Sequence, residues 1–322
     1  MQPDVTVSIV NTSNRPQTLE CLASLEAEVG GPLGVEVVVL DNASDDGSIE
    51  AIGERFGSVR VIAQHERRGF GANHNTVIRA TTSRYVYVLN DDTVTAPGTL
   101  SALVAHMDAN PSVGACGPRV IYPDGREQAT AWRFPSPAAT LRGLPVLGRN
   151  ATQSHGVEVK SVDWVMGCAL LLRREALDLV GLFDEGFFIY CEETDLCRRL
   201  ADAGFSTHYV PSVTTVHIGN QTSATVPARR INEAWRSRHR YWHKHHGPTG
   251  ARVAALATGA QYLARAAIAT ALLRLPEDRR PVRVTSVQPA EFLLNARNAV
   301  RAPGEGLAEL AAARNAAASS GA

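Results

Sequence analysis

Five short runs rich in β-branched and other apolar residues recur through the first 120 residues, each separated from the next by a stretch of helical character. The runs are Val5–Val10, Val35–Leu40, Val59–Ala63, Tyr85–Leu89 and Val113–Gly117. The helical stretches cover Arg15–Glu28, Ser48–Phe56, Gly71–Thr81 and Pro97–Asn110. Strands this continuously apolar need cover on both faces, unlike alternating strands with one wet face. With helices between them they specify the α/β class: a mostly parallel sheet flanked by helices. Pro97 suits the first turn of a helix, and Asn110-Pro111 suits an ending. Ligands of such sheets bind beyond the carboxyl ends of the strands. The polar residues that follow each run are therefore the first candidates for function.

The rest of the chain is less regular. Residues 119–160 are rich in Pro, Gly and Arg and read as loops and short strands over the sheet. A strand pair is expected within Val162–Arg173, then a helix over Arg174–Val180 and another over Glu193–Ala203, closed by Gly204. Two short strands, Thr207–Val210 and Val213–His217, follow. From Ala228 onward the pattern is helical, over Arg229–His246 and then Thr249–Leu273, with a simple, frayed tail over the last 20 residues. This gives a catalytic α/β domain over 1–222 and a helical C-terminal extension over 223–322.

Composition narrows the classes. Lys+Arg and Asp+Glu balance at 32 each, so no overall charge favours nucleic acid. The five cysteines lack C-x-x-C spacing and read as reduced thiols of a cytoplasmic protein. No signal peptide is evident. The most apolar stretch, Ala251–Leu275, is interrupted by Arg252, Gln261, Arg265 and Arg274, so no membrane span is expected.

Three clusters carry candidate chemistry. Asp41, directly after the second run, is placed to accept hydrogen bonds from a base or ribose; Asp45, Asp46 and Ser48 beyond it read as a turn and helix cap. Asp91-Asp92 follows the fourth run. Adjacent carboxylates at a buried strand end repel unless a cation or proton intervenes, and hard oxygen ligands there suit Mg²⁺ or Mn²⁺. The segment Phe183–Leu200 sets Asp184, Glu185, Glu192, Glu193 and Asp195 among four aromatics. That combination suits a sugar cleft with a general base. His217, after the last expected strand, is placed to complete a metal site with Asp92.

As an ordered series, these residues resemble the family 2 glycosyltransferases with a GT-A fold. The series is Ser8-Ile9-Val10 with Arg15-Pro16; Asp41-Asn42-Ala43-Ser44; Gly69-Phe70-Gly71-Ala72-Asn73; Asn90-Asp91-Asp92; Gly167-Cys168-Ala169; Phe183–Leu200; and His217. The likeness is greatest to the bacterial rhamnosyltransferase branch of cell-envelope enzymes. It implies a nucleotide-diphosphate-sugar site formed with Asn11, Arg15, Asp41, Asn42, Gly69, Asn73, Asp91 and Gly167. It also implies a Mg²⁺ or Mn²⁺ ion on Asp92 and His217, and catalysis by Glu193 with Glu192 and Asp195. Three positions depart from the family pattern. Glu193 stands where a catalytic Asp is usual, Asn11 where Tyr is frequent, and Arg67-Arg68 where Asn is common.

The implied reaction is inverting transfer of a sugar, rhamnose among the candidates, to a cell-envelope glycan or polyprenyl-linked acceptor. Residues 229–246 carry six Lys/Arg and three large aromatics against one acid, which suits peripheral contact with the inner face of the plasma membrane. Nucleic acid is not an expected partner, and self-association is left open. A dehydrogenase is excluded because no G-x-G-x-x-G follows the first run. A nucleotidyltransferase, which would also need a Gly-rich loop there, and an inactive sugar-binding scaffold remain the alternatives.

Overall fold

The computed structural model describes residues 3–142, 152–219, 227–274 and 289–301, without the side chains of residues 142 and 227–230. Eleven strands occur among them: β1 Val5–Asn11, β2 Val35–Asn42, β3 Arg60–Gln64, β4 Tyr85–Asn90, β5 Thr93–Thr95, β6 Val113–Ile121, β7 Ala131–Trp132, β8 Lys160–Val162, β9 Trp164–Val165, β10 Ala169–Arg173 and β11 Ser206–His217. The helices are α1 Arg15–Ser24, α2 Glu26–Val29, α3 Ser48–Arg55, α4 Phe70–Arg79, α5 Thr99–Ala109, α6 Pro137–Arg142, α7 Arg174–Val180, α8 Glu192–Asp202, α9 Pro227–Leu273 and α10 Pro289–Val300.

The large sheet runs β3-β2-β1-β4-β10-β6-β11-β5, with β8 also on β11. Strands β3, β2, β1 and β4 are parallel, as are β6 and β11. Strand β10 lies antiparallel between β4 and β6, so the sheet is mixed though mostly parallel. Strand β4 shows why the apolar runs are continuous. Tyr85, Tyr87 and Leu89 pack on one face with Ile9, Val39 and Leu103, while Val86 and Val88 pack on the other with Leu170, Leu196 and Leu200. Each fully buried Leu, Ile or Val stabilises the fold by about 1.5–3 kcal/mol.

Several local expectations are corrected. The Arg15–Glu28 pattern is two helices that divide at Leu25. Helix α5 begins at Thr99, because Gly98 turns left-handed (φ 79°) and leaves Pro97 outside. Residues 162–173 form pieces of three strands, not a simple pair. The two strands expected over 207–217 are one, β11, whose register against β6 slips between Val210 and Thr214. Pro211 lies in that slip, where its missing N–H removes a ladder donor.

The chain divides into two compact units: residues 1–134 with 150–225, and residues 135–149 with 226–322. The boundary expected at 222/223 and the frayed tail lie outside the described residues. In the helical unit, α9 breaks at Gly247 (φ 65°) before Pro248, between the two helical segments expected there. Trp235, Tyr241 and Trp242 are buried. Trp235 donates to Asn295 Oδ1 on α10 at 2.8 Å, and His239 Nε2 bonds Asn298 O at 3.0 Å. The large aromatics of 229–246 are therefore buried and not presented on the surface. Among the described residues, no helix is long and apolar enough to cross a membrane.

Candidate active site

Register brings the first strand ends together. Asn11 of β1 lies beside Asp41 of β2, and Val10 beside Asn90 of β4. Asn11 Nδ2 donates to Asp41 Oδ1 at 2.9 Å, and the Ser44 N–H donates to Asp41 Oδ2 at 3.0 Å. Ala43 takes a left-handed conformation (φ 56°), so Asp41 organises a tight turn while keeping further lone pairs. Asn11 Oδ1 in turn accepts from Thr18 Oγ1 and the Asn14 N–H. Arg15 is exposed at the same corner, its backbone N–H held by Asp46.

Asn42 and Asn73 act on the loop before α4. Asn42 Oδ1 accepts from the Arg68 N–H at 2.9 Å, and the Nδ2 groups of both Asn42 and Asn73 reach Arg68 O. Gln64 Nε2 bridges the two asparagines at 2.6 and 2.8 Å. Gly69 is required by close approach: a Cβ there would lie 2.4 Å from Phe188 O. The Phe70 N–H donates to that same carbonyl at 2.8 Å, docking the 183–190 loop on the start of α4.

Beyond β4 the two aspartates diverge. Asp92 is buried; its Oδ2 accepts from the Gly219 N–H at 3.1 Å and its Oδ1 lies 3.3 Å from His217 Nε2. Burial alone would raise its pKa, but the hydrogen bond and charge of His217 and the Gly219 N–H outweigh that and hold it below the ordinary value. Asp91, partly buried, is pushed up to about 7, first by burial and then by the charge of Asp92. His217 Nδ1 lies 2.6 Å from Gln128 Oε1, which only accepts, so Nδ1 carries the proton. In the neutral ring Nε2 carries its lone pair beside Asp92, whereas in the protonated ring it donates to Asp92 Oδ1; Asn90 Nδ2 meets it at 3.3 Å.

In the neutral ring two lone pairs face each other, an arrangement that a proton or a cation resolves. A carboxylate with a neutral imidazole fits a divalent ion whose other positions are left to phosphate or water oxygens. Among the described residues no group of three or more His, Cys, Asp or Glu side chains is arranged for a metal. Among the described residues, Asp92 and His217 are the side chains placed to hold an ion here.

The acidic segment sorts its carboxylates by partner. Glu185 pairs with Arg68 at 2.7 Å and Arg79 at 3.0 Å. Asp195, fully buried, pairs with Arg199 at 2.9 Å, and Arg199 reaches the carbonyls of Val180, Gly181 and Leu182. Asp195 thus braces the turn that leads into the acidic loop. Glu192 and Glu193 are only 3% and 9% exposed, and an oxygen of each, Oε2, has no hydrogen-bond partner. Burial raises both, and the charge of Glu193 adds to the shift on Glu192. Tyr190 and Cys191, both left-handed (φ 69° and 65°), turn the chain sharply into α8 just before them.

The two glutamates face different neighbours. Glu192 packs toward Gly71 of α4. Glu193 lies against Gly167, whose N–H opposes the rise in its pKa. The neighbouring Cys168 thiol is pushed up by burial and feels both Asp92 and Glu193, and Cys168 O accepts from the Asn90 N–H at 3.0 Å. Glu193 is thus the member of the pair on the Asp92 side. Of the four aromatics, Phe183 and Phe187 are core residues, which corrects their expected place in a cleft wall; Phe188 is exposed and Tyr190 partly so.

Gln128 and Gly219 escaped the sequence reading. Neither sits in a motif, and Gln128 comes from the weakly patterned 119–160 region.

Comparison with known proteins agrees with this architecture. The family model "Glycosyl transferase family 2" matches residues 6–178. The N-acetylglucosaminyl-diphospho-decaprenol L-rhamnosyltransferase of Mycobacterium tuberculosis is 33% identical over 248 residues, covering 70% of this chain and 79% of that one. Rhamnosyltransferase WbbL of Escherichia coli is 26% identical over 186 residues, covering 54% and 69%. Among solved structures, the mannosyltransferase PcManGT from Pyrobaculum calidifontis, in complex with GDP-Man and Mn²⁺, superposes with a TM-score of 0.59 at 21% identity, covering 94% of this chain and 88% of that one. A sheet of this topology, acids at its strand ends and a family match over more than half the sequence converge: the chain belongs to glycosyl transferase family 2, in its rhamnosyltransferase-like branch, and has the GT-A fold.

Proposed function

We propose that this enzyme transfers a sugar, with inversion, from a nucleoside-diphosphate donor to a hydroxyl of a polyprenyl-diphosphate-linked glycan. Rhamnose is the first donor sugar to test, because the relatives above are named for it. The observation that carries the reading is the separation of roles at one strand-end cleft. An ionised Asp92 beside His217 Nε2 and a buried, incompletely partnered Glu193 both act on the same buried thiol, Cys168.

Asp92 and His217 would hold the divalent ion, Mg²⁺ or Mn²⁺. When bound, the ion supplies positive charge against the departing diphosphate, so no separate general acid is needed. Asn11, Asp41 and the 42–44 turn form the corner for the base and ribose, with Asp91 near the ribose or diphosphate. Arg15, Arg67 and Arg68 are exposed about that corner and suit phosphate oxygens. Asn42, Asn73 and Gly69 hold the loop that carries two of these arginines, and Gly167 gives Glu193 a close backbone donor. Glu193 takes the acceptor proton. Its raised pKa makes it a stronger base than a solvated carboxylate, and its Oε2 has a lone pair to spare. Attack from the Glu193 side with departure toward Asp92 gives inversion, the geometry of opposed faces familiar from inverting glycosidases. Asp195 enters this reading as a brace.

The helical unit supports an acceptor at a lipid surface. Its described side chains include nine Lys/Arg against two acids, Glu233 and Glu291, and Glu233 is buried against Arg236. Val253, Leu256, Leu263 and Ile268 are exposed on α9 among Arg252, Arg265 and Arg274. Apolar side chains flanked by basic ones suit an anionic bilayer surface. This moves the expected membrane contact from 229–246 to the second half of α9.

The test is transfer itself. The purified chain is incubated with nucleotide sugars and a short polyprenyl-diphosphate GlcNAc acceptor, with Mn²⁺ or EDTA, and the anomeric configuration of the product is read by NMR. Metal-independent transfer, or retention of configuration, would overturn the proposal.

A further inference from the structure

We infer that Gln128 is a positioning residue for the metal site: by accepting the Nδ1 proton of His217 it fixes the ring tautomer and orientation that present Nε2 beside Asp92. The inference rests on the reading that Asp92 and His217 take a divalent ion.

The geometry is specific. Gln128 is buried, and its Oε1 lies 2.6 Å from His217 Nδ1. A carboxamide oxygen cannot donate, so this contact requires Nδ1–H and excludes the other neutral tautomer. In the neutral ring the opposite nitrogen then carries the lone pair, 3.3 Å from Asp92 Oδ1. A metal-ligating histidine needs its second nitrogen engaged in this way, because a freely rotating ring, or one of mixed tautomer, presents its lone pair only part of the time.

Gln128 is itself well anchored. Its N–H donates to Val120 O of β6 at 2.9 Å, across a tight turn closed by Tyr122 N–H to Arg126 O at 2.8 Å, with Gly125 left-handed (φ 82°). Ile121 bridges Glu127 just before it. Two residues on, Thr130 donates through its N–H to Ser154 Oγ at 2.8 Å and accepts at its carbonyl from the Met166 N–H at 2.8 Å. The exposed Glu127 instead meets Tyr209 and Arg119, so alternation along this short segment sends the charged side chain out and the neutral amide in.

The test uses the full chain and Mn²⁺ alone, without donor. Mn²⁺ affinity is measured by electron paramagnetic resonance, and the His217 tautomer of the metal-free protein by nitrogen-correlated NMR. The wild type is expected to show Nδ1–H. Gln128→Met keeps length but removes the acceptor; it should lose the single tautomer and weaken Mn²⁺ binding by about 10–100-fold, the usual effect of removing an orienting partner. Gln128→Glu restores the acceptor and should keep Nδ1–H, with affinity within about threefold of wild type, a difference small against that loss. If Gln128→Met does not fold, Gln128→Asn, one methylene short, replaces it with the same expectation. An unchanged tautomer and affinity in the acceptor-deficient variant would overturn the inference, as would equal losses in the Met and Glu variants. Failure of the underlying metal reading looks different: Mn²⁺ binding would then be insensitive to Asp92→Ala and His217→Ala, while the tautomer would still report on Gln128.

Discussion

Replacing Glu193 by Gln tests the proposed base with two readouts that move in opposite directions. The substitution is nearly isosteric, and the remaining carbonyl oxygen still accepts from the Gly167 N–H. Donor affinity should therefore stay within a few-fold. What is lost is the proton acceptor, and a positioned general base contributes about 10²–10⁴-fold to turnover, or roughly 3–5 kcal/mol of barrier. Stability should move the other way. Glu192 and Glu193 are adjacent, buried and raised in pKa. A carboxyl whose folded pKa is raised contributes its stability below the unfolded value, near 4.3, and loses it as pH rises through the folded value. At pH 8 the wild type carries that penalty and Glu193→Gln does not, so its Tm should rise by about 2–4 °C for each kcal/mol recovered. The assays are single-turnover transfer with the best donor, and thermal unfolding at pH 5 and pH 8. Glu192→Gln is the control: it should gain stability likewise, but lose far less turnover because it faces α4. Near-normal turnover in Glu193→Gln, with collapse in Glu192→Gln, would refute the assignment drawn from the Gly167–Cys168 contacts.

Four other outcomes follow from the same geometry. Gly69→Ala places a Cβ 2.4 Å from Phe188 O and 2.8 Å from its Cα, so it should cost about 1–3 kcal/mol by chemical denaturation and weaken donor binding; a neutral result would mean that the 183–190 loop is not docked there. Asp195→Asn should destabilise by about 3–5 kcal/mol by leaving Arg199 without its buried partner, whereas full stability with lost turnover would make Asp195 a chemical participant instead of a brace. Asp91, raised to about 7, holds a proton the unfolded chain has lost, so Tm of the metal-free protein should fall as pH rises from about 4 to about 7; Asp91→Asn should flatten that fall and Mn²⁺ oppose it by mass action, and a fall unchanged in the variant would refute the protonated state. Flotation with anionic vesicles should carry the protein at low salt, release it as salt rises, and fail for Leu256→Glu with Leu263→Glu; equal binding to neutral vesicles would exclude the electrostatic part.

Much of the sheet was legible because burial on both faces leaves a direct mark on sequence. The run Tyr85–Leu89 has no polar position because both its faces lie in core. Local events that hang on a single backbone angle left weaker marks: Gly98 delays α5 past Pro97, and Pro211 sits in a register slip that keeps β11 one strand. Asp92 and His217 could be matched from sequence because each lies at or just beyond a strand's carboxyl end. Gln128 could not, because its meeting with His217 spans 89 residues and depends on β6 and β11 being neighbours, which no local pattern encodes.

The acids show most clearly what a fold adds to a list of candidates. In sequence, Glu185, Glu192, Glu193 and Asp195 are four like charges within eleven residues, and any could be a base. Folding gives Glu185 two arginines and Asp195 a third, and a carboxylate so paired is a poor proton acceptor because its charged form is already favoured. Glu192 and Glu193 share the opposite condition, an oxygen without a partner in a buried site, which is unfavourable unless something else uses it. Asp91 and Asp92 divide in the same way, one held near neutrality and one ionised beside His217. Stability alone favours pairing every buried carboxylate. Glu192 and Glu193 are the ones left with an unpartnered oxygen, and Glu193 shares the Cys168 thiol as a neighbour with Asp92; that placement, more than the number of acids, marks where the chain spends stability on chemistry.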